Sequence, residues 1–219
     1  MITYKDITNN DEINTYIEKA DQSLDMIGYT EHSFVHAKRV AATAKQILLT
    51  LGYPEREAEL AQIAGYMHDI GNLVNRVEHA QSGAVMAFRI LRAMGMSPDE
   101  TATIVTAIGN HDESTAMPVN PVAAALILGD KSDVRRSRVR NRDTVSFDIH
   151  DRVNYSVKSS KVVVDKENAT IELHLTADSK RFSTLEFYEI FMERMLLCRR
   201  AAEYLKMRFV TYVNDQLLA

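Results

Sequence analysis

The sequence predicts a mainly α-helical protein, in which a helical bundle is followed by a C-terminal α+β extension with a small antiparallel sheet and a long helix. In the first two-thirds of the 219 residues, apolar side chains recur at three- and four-residue steps, the period of a helix with one buried face. β-branched and alternating apolar residues are concentrated in the last third. Glycine (8) and proline (4) are scarce, and no linker separates the two parts. We therefore expect a core at residues 1–142 with residues 143–219 docked on it.

The first three helices are placed by apolar spacing and by residues that begin or end helices. The first contains apolar residues three or four positions apart, Ile13, Ile17, Ala20, Leu24 and Ile27. The second begins at Thr30 as its N-cap and ends at Gly52, a residue suited to a C-cap. Pro54 suits a first helical turn, so the third helix runs from there to Ile70, with Gly71 as its C-cap.

The later helices of the bundle also begin at favourable residues. A fourth helix is predicted over residues 78–94, before Gly95. The string Ser97-Pro98-Asp99-Glu100 supplies a cap, a proline at the first position and acids that offset the helix dipole. Asn120-Pro121 begins another helix, which is expected to extend into a basic stretch at residues 135–142.

The last third combines strands with one long helix. Strands are predicted from alternating or β-branched residues at 153–157, 161–164, 171–175 and 208–213. Turns near residues 159–160 and 166–168 would join the first of them as an antiparallel sheet. A capping box formed by Ser183 and Glu186 begins the long helix, which runs to about Lys206.

Composition restricts the chemistry and the compartment. The net charge is -4, which argues against binding of nucleic acid through bulk charge. The chain has one cysteine against seven histidines, so a metal site must use nitrogen and oxygen ligands. The N-terminus does not resemble a secretory signal, and the longest apolar run, Val122 to Leu128, is too short to cross a bilayer. We therefore expect a cytoplasmic protein that does not enter a membrane.

Histidines and aspartates recur near the ends of successive predicted helices. The set is His36, the adjacent pair His68 and Asp69, His79, His111 and Asp130. Side chains on neighbouring helices of a bundle can converge on one metal site. Adjacent residues point about 100° apart on a helix, so a His-Asp pair can reach one ion only near a helix end. Mixed nitrogen and oxygen ligands suit one or two divalent iron, manganese, zinc, nickel or cobalt ions.

These residues resemble the HD-domain family of metal-dependent phosphohydrolases, in its His-Asp-Ile-Gly form. The resemblance covers residues 30–133 and implies that His36, His68, Asp69 and Asp130 bind metal. In members with two metals, further histidines correspond to His79 and His111. His32 and Asp112 remain open as additional ligands. The stretch after His111 lacks the second histidine and the Gly-Tyr-Pro signature of the cyclic-dinucleotide phosphodiesterases, so that branch is not favoured.

The resemblance implies hydrolysis of a small phosphoester, first of all a nucleotide, by a metal-activated water. Asp69 would bridge two ions, and Lys131 and Asp133 are further candidates for catalytic or supporting roles. In the basic stretch, Arg135 and Arg138 could bind the substrate phosphate, because guanidinium groups bind phosphate through two hydrogen bonds. A homo-oligomer remains open.

Two other functions remain open at this stage. Some relatives with similar ligands hold a mixed-valent di-iron centre and use O₂ to cleave carbon bonds. Alternatively, the chain is a metal-bound sensor without activity, whose long helix presents an apolar stripe to a partner or to the core: Tyr188, Phe191, Met192, Met195 and Leu196. His150 and His174 lie in the extension and are expected to be structural or exposed.

Overall fold

Helices form most of the chain in the computed structural model, which describes residues 1–113, 115–141 and 148–218. Within these residues there are nine α-helices and four strands. The helices of the bundle are α1 Tyr4–Thr8, α2 Asp11–Met26, α3 Phe34–Leu51, α4 Glu55–Met67, α5 His79–Ala93, α6 Pro98–Gly109 and α7 Pro121–Lys131. The extension contains α8 Ile149–Ser156, β1 Val157–Asp165, β2 Thr170–Ala177, α9 Thr184–Tyr204, β3 Arg208–Val213 and β4 Gln216–Leu217. The predicted fold class is confirmed.

Local capping explains where several helices begin. The Ser97 side chain accepts a hydrogen bond from the Glu100 backbone at the start of α6, and Asn120 caps α7 in the same way. Ser183 caps α9. The helix starts predicted at these three positions are confirmed, because the signal lies within one turn of sequence.

The centre of the bundle is formed by α3, α4 and α7, which pack against one another. Every residue of α7 from Val122 to Lys131 is buried. A Cβ atom on Gly65 of α4 would lie 2.8 Å from the backbone of Ala41, so glycine lets α3 and α4 approach closely. This close packing brings the start of α3, the end of α4 and the end of α7 together.

Two predicted helix boundaries in the first half of the bundle are wrong. The second predicted helix begins at Phe34, capped by Ser33 rather than Thr30. The third ends at Met67, and Gly71 lies in a short 3-10 helix, Ile70–Leu73, instead of forming a C-cap. A Cβ atom on Gly71 would lie 1.9 Å from the carbonyl oxygen of His79, so this glycine is required by the close approach of α5.

The helix α7 also ends earlier than predicted. It stops at Lys131, and the basic stretch contributes only a single 3-10 turn, Arg136–Arg138. Burial explains this change, because Asp133, Arg135 and Arg138 turn back into the protein and form hydrogen bonds with His36 and Glu31. The end of the stretch, Arg142, and the expected boundary between core and extension lie outside the described residues.

The sheet has the strand order β1-β2-β3-β4 and is mixed rather than antiparallel as predicted. β1 and β2 form an antiparallel hairpin, with the predicted turn at residues 166–168. β3 pairs with β2 in parallel, because α9 returns the chain to the same end of the sheet before β3 begins.

Two predictions within the extension are wrong. Residues 153–157 were expected to form a strand, but most of them belong to α8, which is capped by Asp148. Val153 and Val157 are also four residues apart, which is a helical spacing, and both are buried. The expected turn at residues 159–160 lies within β1, where these residues pair with β2.

The extension packs on the bundle through α9, which lies against α7. Phe191 and Met195 of the apolar stripe are buried, which supports the core interpretation of that stripe, whereas Met192 is exposed. Among the described residues, no helix is both long enough and apolar enough to cross a membrane.

Candidate metal centre

Five segments bring the predicted ligand residues to one place. His36 lies in the first turn of α3, His68 and Asp69 directly follow α4, and His79 is the first residue of α5. His111 follows α6, and Asp130 lies in the last turn of α7. The helix ends are decisive, because His68 and Asp69 leave the helical path there and can point to the same space.

The potential ligand atoms form two overlapping groups, one of His36, His68 and Asp130 and one of His68, Asp69 and His111. In the first, Oδ1 of Asp130 lies 3.3 Å from Nε2 of His36 and 3.6 Å from Nε2 of His68. In the second, Oδ2 of Asp69 lies 3.1 Å from Nε2 of His68. Two atoms bound to one ion at about 2.1 Å lie roughly 3.0–3.4 Å apart in tetrahedral or octahedral geometry. The two groups therefore have nearly the spacing of metal ligands.

Asp69 lies between the two groups. Its Oδ2 is 3.6 Å from Nε2 of His36, and its Oδ1 is 3.6 Å from Nε2 of His79. Nε2 of His79 is in turn 3.2 Å from Nε2 of His111. One carboxylate thus has an oxygen directed toward histidines on each side.

All four histidines have the same orientation. Their Nδ1 atoms donate to oxygen acceptors: a carboxylate oxygen of Asp133 for His36, and backbone carbonyls for the other three, His68, His79 and His111. Such contacts place the proton on Nδ1 and leave the Nε2 lone pair for a metal. Because both Nδ1 atoms carry protons, the facing Nε2 atoms of His79 and His111 repel each other unless a cation or a proton lies between them.

Two of these Nε2 atoms are orphaned. Those of His36 and His68 are buried and make no hydrogen bond with the residues that the structure describes. Buried polar atoms are normally satisfied, so an unsatisfied pair indicates a binding site. A metal ion fits it, because the donor set is nitrogen and carboxylate oxygen and each imidazole already points its lone pair inward.

The charges of the site are strongly coupled. Burial disfavours a charged His68, but the carboxylates of Asp69 and Asp130 outweigh it and raise the pKa of His68 to about 10. Burial also acts against both carboxylates, yet His68 and Lys131 hold their pKa values well below the usual range. Burial lowers the pKa of His111 to about 3. The carboxylates thus attract a positive charge, which a proton on His68 or a metal can supply.

A family model of the HD domain matches residues 33–152, more than half of the chain. The chain belongs to the HD domain family. The match includes all six predicted ligand residues, His36, His68, Asp69, His79, His111 and Asp130, and continues into α8.

Two relatives of this HD domain protein illustrate its similarity to known proteins. An uncharacterized protein of Methanocaldococcus jannaschii is 24% identical over 207 residues, which cover 84% of this chain and 80% of that protein. The crystal structure of a predicted HD superfamily hydrolase from an uncultured Thermotogales bacterium has 25% sequence identity and a TM-score of 0.45, covering 57% of this chain and 67% of that chain.

His32 and Asp112, which the sequence left open as additional ligands, lie at the edge of the two groups of potential ligand atoms. His32 precedes α3, so it does not lie on a helix face with His36 as its four-residue spacing suggested, but the two rings are 5.5 Å apart. Burial lowers the pKa of His32. Oδ1 of Asp112 lies 3.9 Å from Nε2 of His79. Neither residue belongs to the two compact groups of potential ligand atoms.

Lys131 and Asp133, predicted as catalytic or supporting residues, contact the ligand residues directly. Nζ of Lys131 lies 2.7 Å from Oδ2 of Asp130 and 3.2 Å from Glu113. Oδ2 of Asp133 accepts the hydrogen bond from Nδ1 of His36 at 2.8 Å. Both are buried and contact ligand residues directly, which is consistent with the supporting role among the two that were predicted.

The two arginines predicted to bind phosphate differ from each other. Arg135 is buried, and its three guanidinium nitrogens donate to Asp133, Ser137 and Glu31. This arrangement differs from the predicted phosphate contact and gives Arg135 a role in holding Asp133. Arg138 lines a cavity of 320 Å³ beside the centre.

Sequence reasoning missed three residues of that cavity. Arg76 lies between the 3-10 helix and α5, Arg194 lies on α9, and His150, which is exposed as expected, lies on α8. Arg76 carried a local signal, because it lies three residues before His79. Arg194 and His150 had none, since only the docking of the extension brings them to the cavity.

Proposed function

We propose that this HD domain protein is a metal-dependent phosphohydrolase that acts on a nucleotide or another small phosphoester. The family and the His/Asp groups support a hydrolase with a divalent metal. The observation that carries the proposal is the pair of orphaned Nε2 atoms on His36 and His68, which face two carboxylates in a buried site. This arrangement is suited to a cation, because polar atoms in a protein interior rarely remain without a partner.

We assign the metal to the two groups of ligand atoms formed by His36, His68, Asp69, His111 and Asp130, with His79 beside the second group. Asp69 would serve both groups, since its two oxygens are directed to different histidines. When bound, a divalent transition metal ion lowers the pKa of a coordinated water and polarises a phosphoryl oxygen.

The surrounding residues keep the ligands in position. Asp133 accepts from Nδ1 of His36 and is itself held by Arg39 and Arg135, at 3.0 and 2.9 Å. These bonds fix the tautomer and the ring orientation of His36. The ammonium group of Lys131 offsets the negative charge at the second oxygen of Asp130. The guanidinium of Arg76 lies 3.3 Å from Nε2 of His79, where it could donate to a phosphoryl oxygen.

Metal analysis combined with a substrate screen tests the proposal. The purified protein should contain one or two equivalents of a transition metal and release phosphate from nucleotides or other phosphoesters with Mn²⁺, Fe²⁺, Co²⁺ or Ni²⁺ under anaerobic conditions. Asp69→Ala should lose most of the metal and the activity, because it removes a ligand of the second group whose oxygens also lie near His36 and His79.

The matched control is Asp11→Ala, which changes an exposed aspartate on α2 and should leave metal content and turnover unchanged. Unchanged metal content in Asp69→Ala would contradict the ligand assignment. Oxygen uptake with an organic substrate, without phosphate release, would instead favour the di-iron oxygenase alternative.

A further inference from the structure

Cationic side chains from separate segments line the cavity beside the metal centre. The cavity has a volume of 320 Å³ and is lined by three arginines, Arg76, Arg138 and Arg194, and by two histidines, His32 and His150. It adjoins the ligand residues on two sides. The ring of His32 is 5.5 Å from that of His36, and the Arg76 guanidinium is 3.3 Å from Nε2 of His79.

Arg138 lacks a carboxylate partner. It is only 4% exposed, and its Nε and Nη1 donate to the backbone carbonyls of Glu31 and Asp133, at 2.9 and 3.1 Å. Within the described part of the chain, no carboxylate lies within 4 Å of its guanidinium and Nη2 makes no hydrogen bond. Burial lowers the pKa of Arg138. A buried cation of this kind is costly unless an anion joins it.

The neighbouring Arg135 provides an internal comparison. It belongs to the same turn and is equally buried, but it pairs with Asp133 and Glu31 at 2.9 and 2.8 Å. The turn therefore supplies one arginine with direct carboxylate partners and one that lines the cavity with no carboxylate within 4 Å among the described residues.

Arg194 is held in the cavity by a shared carboxylate. Glu113 lies 2.7 Å from Nε of Arg194 and 3.2 Å from Nζ of Lys131. Lys131 also contacts Asp130, so α9 is connected to the metal centre through buried charges. Arg76 stacks near Tyr29 at 5.5 Å and has no carboxylate within 4 Å among the residues described. Of the three arginines that line the cavity, only Arg194 has a carboxylate within 4 Å among the residues described.

Two acidic residues, Asp148 and Asp151, also line the cavity, and both are shared with an adjoining surface pocket that contains Arg140 and Asn141. Asp148 accepts from the backbone nitrogen of Asp151 as the cap of α8, and Asp151 accepts from Asn141. Both acids are thus hydrogen-bonded within α8 and the adjoining pocket, whereas the described part of the chain places no carboxylate within 4 Å of Arg138 or Arg76.

We propose that this cavity binds a second anionic group of the substrate, apart from the phosphoryl group at the metal centre. The inference rests on the proposed function. Arg138 and Arg194 contact the second anion, and Arg76 lies between the two sites. The substrate class is a phosphoester that carries a further phosphate or carboxylate, and the extension determines this specificity by supplying Arg194.

Phosphate binding to the metal-free protein tests the cavity independently of turnover. Titration calorimetry in EDTA should show binding of inorganic phosphate, and both Arg194→Met and Arg138→Met should weaken it by about tenfold or more. Arg199→Met is the control, because Arg199 lies on the same helix but is exposed and pairs with Glu203. Arg194 is partly exposed, so its variant should fold even if the Arg138 variant does not. No phosphate binding, or equal binding by Arg194→Met and the wild type, overturns the inference.

Turnover of matched substrates tests the second anion. With metal bound, kcat/KM should be about tenfold higher for adenosine 3′,5′-bisphosphate than for AMP, or for glucose 1,6-bisphosphate than for glucose 6-phosphate. Arg194→Met should remove this advantage, and Arg199→Met should retain it. Equal kcat/KM within each pair overturns the inference and leaves the phosphohydrolase intact. Phosphate binding that depends on Arg194, without turnover of any phosphoester, supports the anion site and contradicts the proposed function.

Discussion

At the scale of single residues, the metal centre depends on where four imidazoles carry their protons. Each ring donates from Nδ1 to an oxygen acceptor, so the protein selects one tautomer before a metal arrives. His68 differs from the others in its electrostatics: burial disfavours its charged form, but the carboxylates of Asp69 and Asp130 outweigh burial and raise its pKa to about 10. This raised pKa favours a second proton on His68 in the metal-free protein. Metal and proton therefore compete for the same nitrogen.

This competition predicts proton release on metal binding. Near pH 7.5, binding of Mn²⁺ at His68 should release about one proton, whereas His111, with its pKa lowered to about 3, should release none. Because deprotonation becomes easier as the pH rises, the affinity should increase by about tenfold per pH unit in the range below the pKa of His68. Titration calorimetry in buffers with different ionisation enthalpies measures the protons released. A binding enthalpy that is independent of the buffer would contradict the prediction.

At the scale of secondary structure, the junction between α4 and α5 controls the position of two ligand residues. The 3-10 helix connects Asp69 to the segment that leads to His79, and Gly71 within it touches the backbone of α5. The packing leaves no space for a side chain, since a Cβ atom on Gly71 would also lie 2.4 Å from the backbone nitrogen of Gly83.

Gly71→Ala should therefore destabilise the protein by about 3 kcal/mol or more, because both clashing groups are backbone. The shift of α5 should also move His79 and weaken metal binding. Urea denaturation in EDTA and metal titration measure the two effects. Gly109→Ala is the control, since its Cβ atom would make only an ordinary contact at 3.5 Å with Ala84. A Gly71→Ala variant as stable as the wild type would disprove the packing argument.

The elements also show what could be predicted from the sequence. Helix starts at Ser97, Asn120 and Ser183 depend on hydrogen bonds within one turn, so local sequence was sufficient. The parallel pairing of β2 with β3 was missed, because it depends on the path of α9 through space.

The same distinction applies to the site. Its candidate ligands were recognisable as an ordered set of residues at helix ends. The cavity could not be recognised from the sequence. Arg138 and Arg135 differ only in their tertiary partners, and Arg194 is distant in sequence from the metal centre.

At the scale of the whole molecule, the metal centre joins elements that are otherwise separate. Its candidate ligands come from five segments, and most of these would not be close together in the unfolded chain. A ligand that binds only the folded state stabilises it, by about 2.7 kcal/mol at a concentration one hundred times its Kd.

Metal should therefore raise the melting temperature relative to EDTA, by about 5–10 °C for a chain of this length. His79→Ala should reduce this rise, whereas His174→Ala, which changes a half-buried histidine on the sheet, should retain it. Differential scanning calorimetry measures both. A rise that is equal in the two variants would show that the metal binds elsewhere.

The parallel pairing of β2 and β3 has a consequence for the order of events during folding. The hairpin of β1 and β2 closes over a short turn, but β3 can join only after α9 has crossed the sheet. The candidate ligands, by contrast, all precede residue 131. We therefore expect the helical bundle to fold early and α9, which carries Arg194, to dock late. The ligand residues would then be assembled before the cavity beside them is complete.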